Sequence, residues 1–216
     1  MYNYTMNGIP LTEVQEEKDI GVIIHKSLKP SRHCAEMARK ANTVLSQISR
    51  SFHFRDKKVF IQLYKQHVRS LLEFSSTSWS PWTAADIEII EKVQKRAVRM
   101  ISGLTGQTYE EKLVELNLPS LEMRRYQSDM IQTFKIIKNI DAVESSSWFN
   151  LVGENPRRHT RLTANPLNII ATRQNNEIRR NFFSQRVPDQ WNNLPDEIKS
   201  SRNLKVFKSK LKHHLA

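Results

Sequence analysis

The residue types that could do chemistry are scattered rather than gathered. Phosphoryl or nucleotidyl transfer by the two-metal route needs carboxylates that converge on two cations. The aspartates stand singly at 19, 56, 86, 129, 141, 189 and 196, with no Asp-Asp pair. The acidic pairs Glu16-Glu17 and Glu110-Glu111 lie beside a predicted strand and in the first turn of a predicted helix, where solvation and the helix dipole explain them. Histidines at 25, 33, 53, 67, 159, 213 and 214 offer no zinc-ligand spacing, because the adjacent His33-Cys34 pair cannot close on one metal without further ligands. A Gly-rich phosphate loop is missing, and chain order alone builds no Ser-His-Asp set. The sequence therefore predicts no catalytic residues, no metal and no cofactor.

Cationic side chains tell a different story. The net charge is +12, and it is unevenly spread: Lys+Arg minus Asp+Glu is 1 − 4 = −3 over residues 1–20, 15 − 6 = +9 over 21–108, 5 − 8 = −3 over 109–156 and 13 − 4 = +9 over 157–216. Two basic blocks suit a polyanion, since neutralised phosphates release counterions; a solvated surface kept soluble by charge is the plainer alternative. Within the first block Lys92, Lys95, Arg96 and Arg99 share one helical face opposite an apolar stripe, a spacing that can track a phosphate backbone without reading sequence. Within the second, Arg157, Arg158, Arg161, Arg179 and Arg180 can fork onto phosphates or stack on bases. Trp79 and Trp82 could stack on unpaired bases, but aromatics flanking Pro81 between two helices more often plug a core.

The elements that must carry these residues follow from periodicity. With 38% hydrophobic residues, five glycines and eight prolines, the chain is long enough for a core and too poor in turn residues for a sheet-rich fold. Asn7-Gly8 predicts a type I′ turn between Tyr2–Met6 and Ile9–Val14, and Asp19–Ile24 reads as a further buried strand. Helical spacing starts at Ser31. A second helix is expected after the N-cap Asp56, a third from Thr83 to Gly103, a short one from the capping box Thr108/Glu111 and a longer one from Ser120, all in one packed bundle. Residues 141–176 are irregular, with one short strand expected at 168–172. Helices return at Glu177–Gln185 and around Trp191, and Leu204–Leu215 is amphipathic. The fold class is mainly α, a helical bundle with a small N-terminal β-hairpin and strand and an irregular basic loop before C-terminal helices. The expected division is 1–28, 29–106, 107–142, 143–176 and 177–216. A single cysteine, Cys34, excludes an internal disulfide. With no signal-peptide layout and no membrane-spanning run, the expectation is a soluble protein of a reducing intracellular compartment, cytoplasm and/or nucleus.

Several segments in order resemble one family. Lys18-Asp19-Ile20-Gly21-Val22, followed by Leu28-Lys29 and His33, is similar to the segment that ends the palm of jockey-like, LINE-type non-LTR retrotransposon reverse transcriptases. Leu63-Tyr64-Lys65 with Val68-Arg69, Leu72-Glu73-Phe74, Trp79-Ser80-Pro81-Trp82 and Ile90 to Ala97 resemble their thumb. Leu118 to Arg125, Phe182 to Val187, Trp191 to Pro195 and Phe207-Lys208 to Leu211 look like their C-terminal region. No single motif is specific; order and spacing over about 200 residues carry the match. The resemblance implies that the N-terminal strands are the remnant of a polymerase palm and that the helices hold template-primer. It also implies that the Tyr-x-Asp-Asp turn of the active enzyme is absent from this chain. The expected partner is RNA, DNA or their hybrid, bound without sequence preference and with no membrane. Two alternatives stay open: the end of a longer active reverse transcriptase, and a helical protein-interaction module.

Overall fold

A computed structural model describes residues 4–52, 56–154 and 165–215. The chain is mainly helical. Two small hairpins lead. In the first, β1 (Thr5–Met6) pairs antiparallel with β2 (Ile9–Pro10), and Asn7 and Gly8 both take positive φ, 52° and 81°, as a type I′ turn requires. The second was not expected as a hairpin. β3 (Glu16–Asp19) pairs with β4 (Val22–His25), and the turn falls on Ile20 and Gly21, whose φ values are 43° and 86°. The buried strand expected over 19–24 is thus folded back on itself, and Ile20 at the turn is 86% exposed. Only β4 docks: Val22 packs on the helical core and the Ile23 N–H donates to His33 Nδ1 at 3.1 Å.

The helix α1 (Ser31–Ser51) buries Cys34, Ala38, Ala41, Leu45 and Ile48 at three- and four-residue spacing. After it, Asp56 accepts from the backbone N–H groups of Lys58 and Val59 to open α2 (Lys57–Leu63). A π-helical segment (Tyr64–Arg69) follows, then α3 (Ser70–Glu73). Its cause is visible in the spacing. Phe60, Tyr64, Val68 and Leu72 are all buried, and a strict four-residue repeat drifts round an α-helix by roughly 40° per step. The wider i→i+5 turn reverses that drift and holds the four on one side. A short α4 (Ser76–Trp79) precedes Pro81, and Thr83 caps α5 (Ala84–Arg99). Asp86 then joins two helix starts, accepting from Thr83 Oγ1 at 2.8 Å and Ser31 Oγ at 2.7 Å. The capping box at Thr108/Glu111 forms as expected and opens α6 (Tyr109–Glu115).

Helix α7 (Leu121–Ile137) begins at the N-cap Ser120 and has an unexpected burial pattern. Met123 is half-buried and Ile140 is 47% exposed, whereas Arg125 and Asp129 are buried. Its first orphan N–H, on Leu121, is taken by the buried Glu91 carboxylate at 3.1 Å. Glu91 also accepts from Tyr109 Oη, and Gln94 joins Tyr64 Oη (2.6 Å), Tyr109 Oη (3.0 Å) and the Pro119 carbonyl (3.0 Å). This network fixes α5, α6 and the start of α7 together.

The helices do not share one core. The first cluster gathers α1 to α6 and reaches Leu121. A second, from Met130 to Leu211, packs the far half of α7 against Phe149, Leu151, Ile169, α9 (Phe183–Asn192), α10 (Asp196–Lys199) and α11 (Leu204–His214). Phe134 stacks on Phe207 at 4.2 Å between centroids. Two C-terminal expectations change. The helix expected at 177–185 is α8 (Glu177–Arg180), then a break, then α9, which runs through Trp191. The strand expected at 168–172 is a single antiparallel bridge, Leu151 to Ile169. Its other hydrogen bonds go to side chains: Asn192 both donates to the Ile169 carbonyl and accepts from its N–H at 2.8 Å, and Trp191 Nε1 donates to the Leu167 carbonyl.

Candidate nucleic-acid interface

The four cations singled out on α5 share a face but not a role. Lys92 and Arg99 are exposed with no acidic partner among the described residues. Lys95 turns back to Glu88 at 3.0 Å and lies 5.5 Å from the Tyr109 ring centroid. Arg96 reaches across to α1, donating to Asn42 Oδ1 at 2.8 Å and Ser46 Oγ at 3.0 Å. Two of the four therefore clamp helices, and two project free charge.

The arginines of the second block divide as well. Arg179 and Arg180 are exposed on α8, which Asn176 caps. The Arg179 guanidinium sits 5.8 Å over the Phe182 ring, an exposed cation–π pair. Arg157, Arg158 and Arg161 lie outside the described residues. Of the two tryptophans, Trp79 is core: it is buried, its Nε1 donates to the Phe74 carbonyl at 2.7 Å, and its ring lies 4.7 Å from that of His33. That position removes Trp79 as a stacking platform for a base. Trp82 is half-buried.

The larger concentration of charge is elsewhere, in a cleft of about 760 Å³ between the π segment, the end of α6, α7 and α11. Lys65, Arg69, Arg124, Lys208 and Lys212 line it above an apolar floor that includes Leu118, Met123 and Leu211. One carboxylate answers them. Glu73 takes a bidentate fork from Arg124, at 2.7 and 2.8 Å, and a weaker contact from Arg69 at 3.4 Å. Five cations against one anion leave a net +4. Partial burial lowers the Lys65 pKa, and the neighbouring positive charges of Arg69, Arg124 and Lys212 lower it further. Such a group gains from an incoming phosphate what its neighbours now cost it.

Sequence reasoning missed this cleft although half of its signal was present. Lys65/Arg69 and Lys208/Lys212 are each four apart and so share a helical face. What no periodicity reports is that a helix near residue 65 and one near residue 210 lie across from each other.

Among the described residues no group of three His, Cys, Asp or Glu side chains could hold a metal ion. No helix is long and apolar enough to cross a membrane. Burial lifts the Cys34 thiol to about 12, which leaves it unreactive at neutral pH.

No family model matches the chain. It is similar to the Caenorhabditis elegans protein called uncharacterized protein B0403.1, 22% identical over 125 residues. The match covers 56% of this chain and 61% of that relative. No solved structure matches.

Proposed function

We propose that this chain is a non-catalytic nucleic-acid-binding module, the thumb and C-terminal part of a reverse transcriptase of the non-LTR retrotransposon type, which holds template-primer by its backbone. The observation that carries the reading is the cleft of Lys65, Arg69, Arg124, Lys208 and Lys212, with Glu73 as its one carboxylate. An apolar floor under unpaired cations suits a sugar–phosphate strand, and long flexible lysines suit contacts that do not discriminate bases. Lys92 and Arg99 on α5 add a second, smaller contact.

Six phosphate contacts predict a log–log salt slope of about −5 and a loss of affinity of about 10³ between 50 and 200 mM salt. Duplex, hybrid and single strands of unrelated sequence should all show it in fluorescence anisotropy. Replacing Lys65, Lys208 and Lys212 together with Glu should weaken every sequence alike and flatten the slope by about 3. An unchanged slope in that variant moves binding to α5 or to the Arg157–Arg161 segment. A flat response in the unaltered chain sinks the proposal.

A second reading, that the chain works as the end of a longer active polymerase, is favoured by the apolar exposure of the leading hairpins, where Met6, Ile9 and Ile20 all face outward. Primer extension separates the two: the module by itself should extend nothing, and addition of a palm-bearing chain should restore synthesis if the second reading holds.

A further inference from the structure

Helix α7 buries an arginine that nothing in the nucleic-acid reading uses. Arg125 is 4% exposed, and both of its Nη atoms are buried without a hydrogen-bond partner among the described residues. A guanidinium cannot shed its proton to escape this, so a buried one is normally held by a carboxylate or several carbonyls. Desolvation dominates its environment; the acidic groups that face it, Glu91 first and then Glu122 and Asp129, act through space without an ion pair. Glu91 is occupied by Tyr109 and the Leu121 N–H. Asp129 is occupied by Arg186, which forks onto it at 2.8 and 2.9 Å.

Arg125 lines a cavity of about 500 Å³ between α7, α9 and the Pro81 turn. Two more buried polar atoms on that lining lack partners: the donor Trp82 Nε1 and the acceptor Gln190 Oε1. Pro81, Ile87 and Met123 supply apolar wall. We propose that this cavity is a binding site for a small organic carboxylate, its two oxygens taken by the Arg125 fork and its body lying against the apolar wall beside the Trp82 N–H.

Charge chooses the anion. Arg186 and Asp129 cancel, and Arg125 faces only the exposed Glu122, so the cavity has room for one negative charge and disfavours a dianion such as hydrogen phosphate. A planar carboxylate also matches the two parallel N–H groups of a guanidinium. The volume falls in the range of small-molecule pockets. The site stands apart from the basic cleft, sharing with it only Met123 on the lining.

The test is a titration of the whole chain with benzoate at constant ionic strength, chloride making up the balance, read by melting temperature and by the Arg125 Nε–Hε resonance. A saturable rise on the order of 5–10 °C at a hundredfold excess over Kd, with a shift of that resonance, is expected. Inorganic phosphate should do less. Arg125→Met, which keeps the volume and removes the buried charge, should fold and lose the response, and Trp82→Phe should bind about tenfold more weakly. The triple Glu variant of the cleft should respond like the unaltered chain. No saturable response, a response that survives Arg125→Met, or tighter binding of phosphate than of benzoate overturns the proposal. Should Arg125→Met not fold, the resonance shift and Trp82→Phe decide it.

Discussion

The two hydrophobic cores are built from different kinds of sequence. The first closes over helices that follow one another along the chain: α1 on α5, with the Phe60–Leu72 stretch between them. The second has to collect α7, the 149–151 and 165–170 segments and three C-terminal helices across a long interval of chain. A core made of neighbours can rely on apolar stripes. A core made of distant pieces needs polar groups that recognise specific backbone positions, and these are present as Asn192 on Ile169, Trp191 on Leu167 and Lys199 on Asn168.

The sharpest way to break the comparison is to hollow each core in turn. Trp191 and Leu45 are both 0% exposed. Trp191→Ala should cost about 3–5 kcal/mol and Leu45→Ala about 2–5 kcal/mol. If the cores open separately, amide exchange in Trp191→Ala will speed up in α9 and α11 while α1 and α5 keep their protection. A uniform loss over all helices would show one cooperative unit instead.

Next in size is the tie between them. Arg186 on α9 forks onto Asp129 and also donates to the Thr77 carbonyl at 2.8 Å, so one side chain spans α7, α4 and α9. Removing one partner of a buried pair costs about 3–5 kcal/mol at full burial, and a little less is expected for this slightly open one. Asp129→Asn should therefore lower the urea midpoint of the whole chain by less than Trp191→Ala does, and should split the unfolding transition. A single sharp transition in that variant would mean that apolar contact along α7 couples the cores by itself.

A smaller effect belongs to the first core alone. Glu91→Gln keeps the shape but weakens the acceptor that meets Leu121 N–H and Tyr109 Oη, for about 1–3 kcal/mol. Its loss should appear as faster exchange at the start of α7, with the second core unmoved.

The mildest test is pH. Burial lowers the His33 pKa from 6.5 to about 4. A histidine depressed in the folded state favours the neutral ring, so its contribution is complete above pH 6.5 and is lost as pH falls from there to about 4. Melting temperature should drop over that window in the unaltered chain and drop less in His33→Gln. Parallel curves would place the acid loss on carboxylates instead.

Legibility in the sequence follows the same division. Asp56, Thr83, Thr108 and Ser120 were readable as helix starts because a cap acts within three residues of itself. Asn7-Gly8 was readable for the same reason. The second hairpin was not, since Ile20 is a poor candidate for positive φ and β-branching argued for a strand through it. Arg125 and Asp129 looked like the polar side of α7, because nothing local says that Arg186 comes from 57 positions further on to meet one of them. On the candidate interface, Lys92 and Arg99 stand where spacing put them. The cleft of Lys65 and Lys212 needed the fold.

The π segment makes this region sensitive to chain length rather than to residue type. Tyr64 must reach Gln94 on one neighbour while Glu73, nine positions later, must reach Arg124 on another. Those two appointments are kept by one surplus residue. Deleting a single position between Tyr64 and Arg69 would let the stretch relax into ordinary α-helix and turn everything after it by about 100°. Leu72 would leave the core and Glu73 would leave the cleft. Substitutions along Tyr64–Arg69 should thus be absorbed far more easily than a one-residue deletion there.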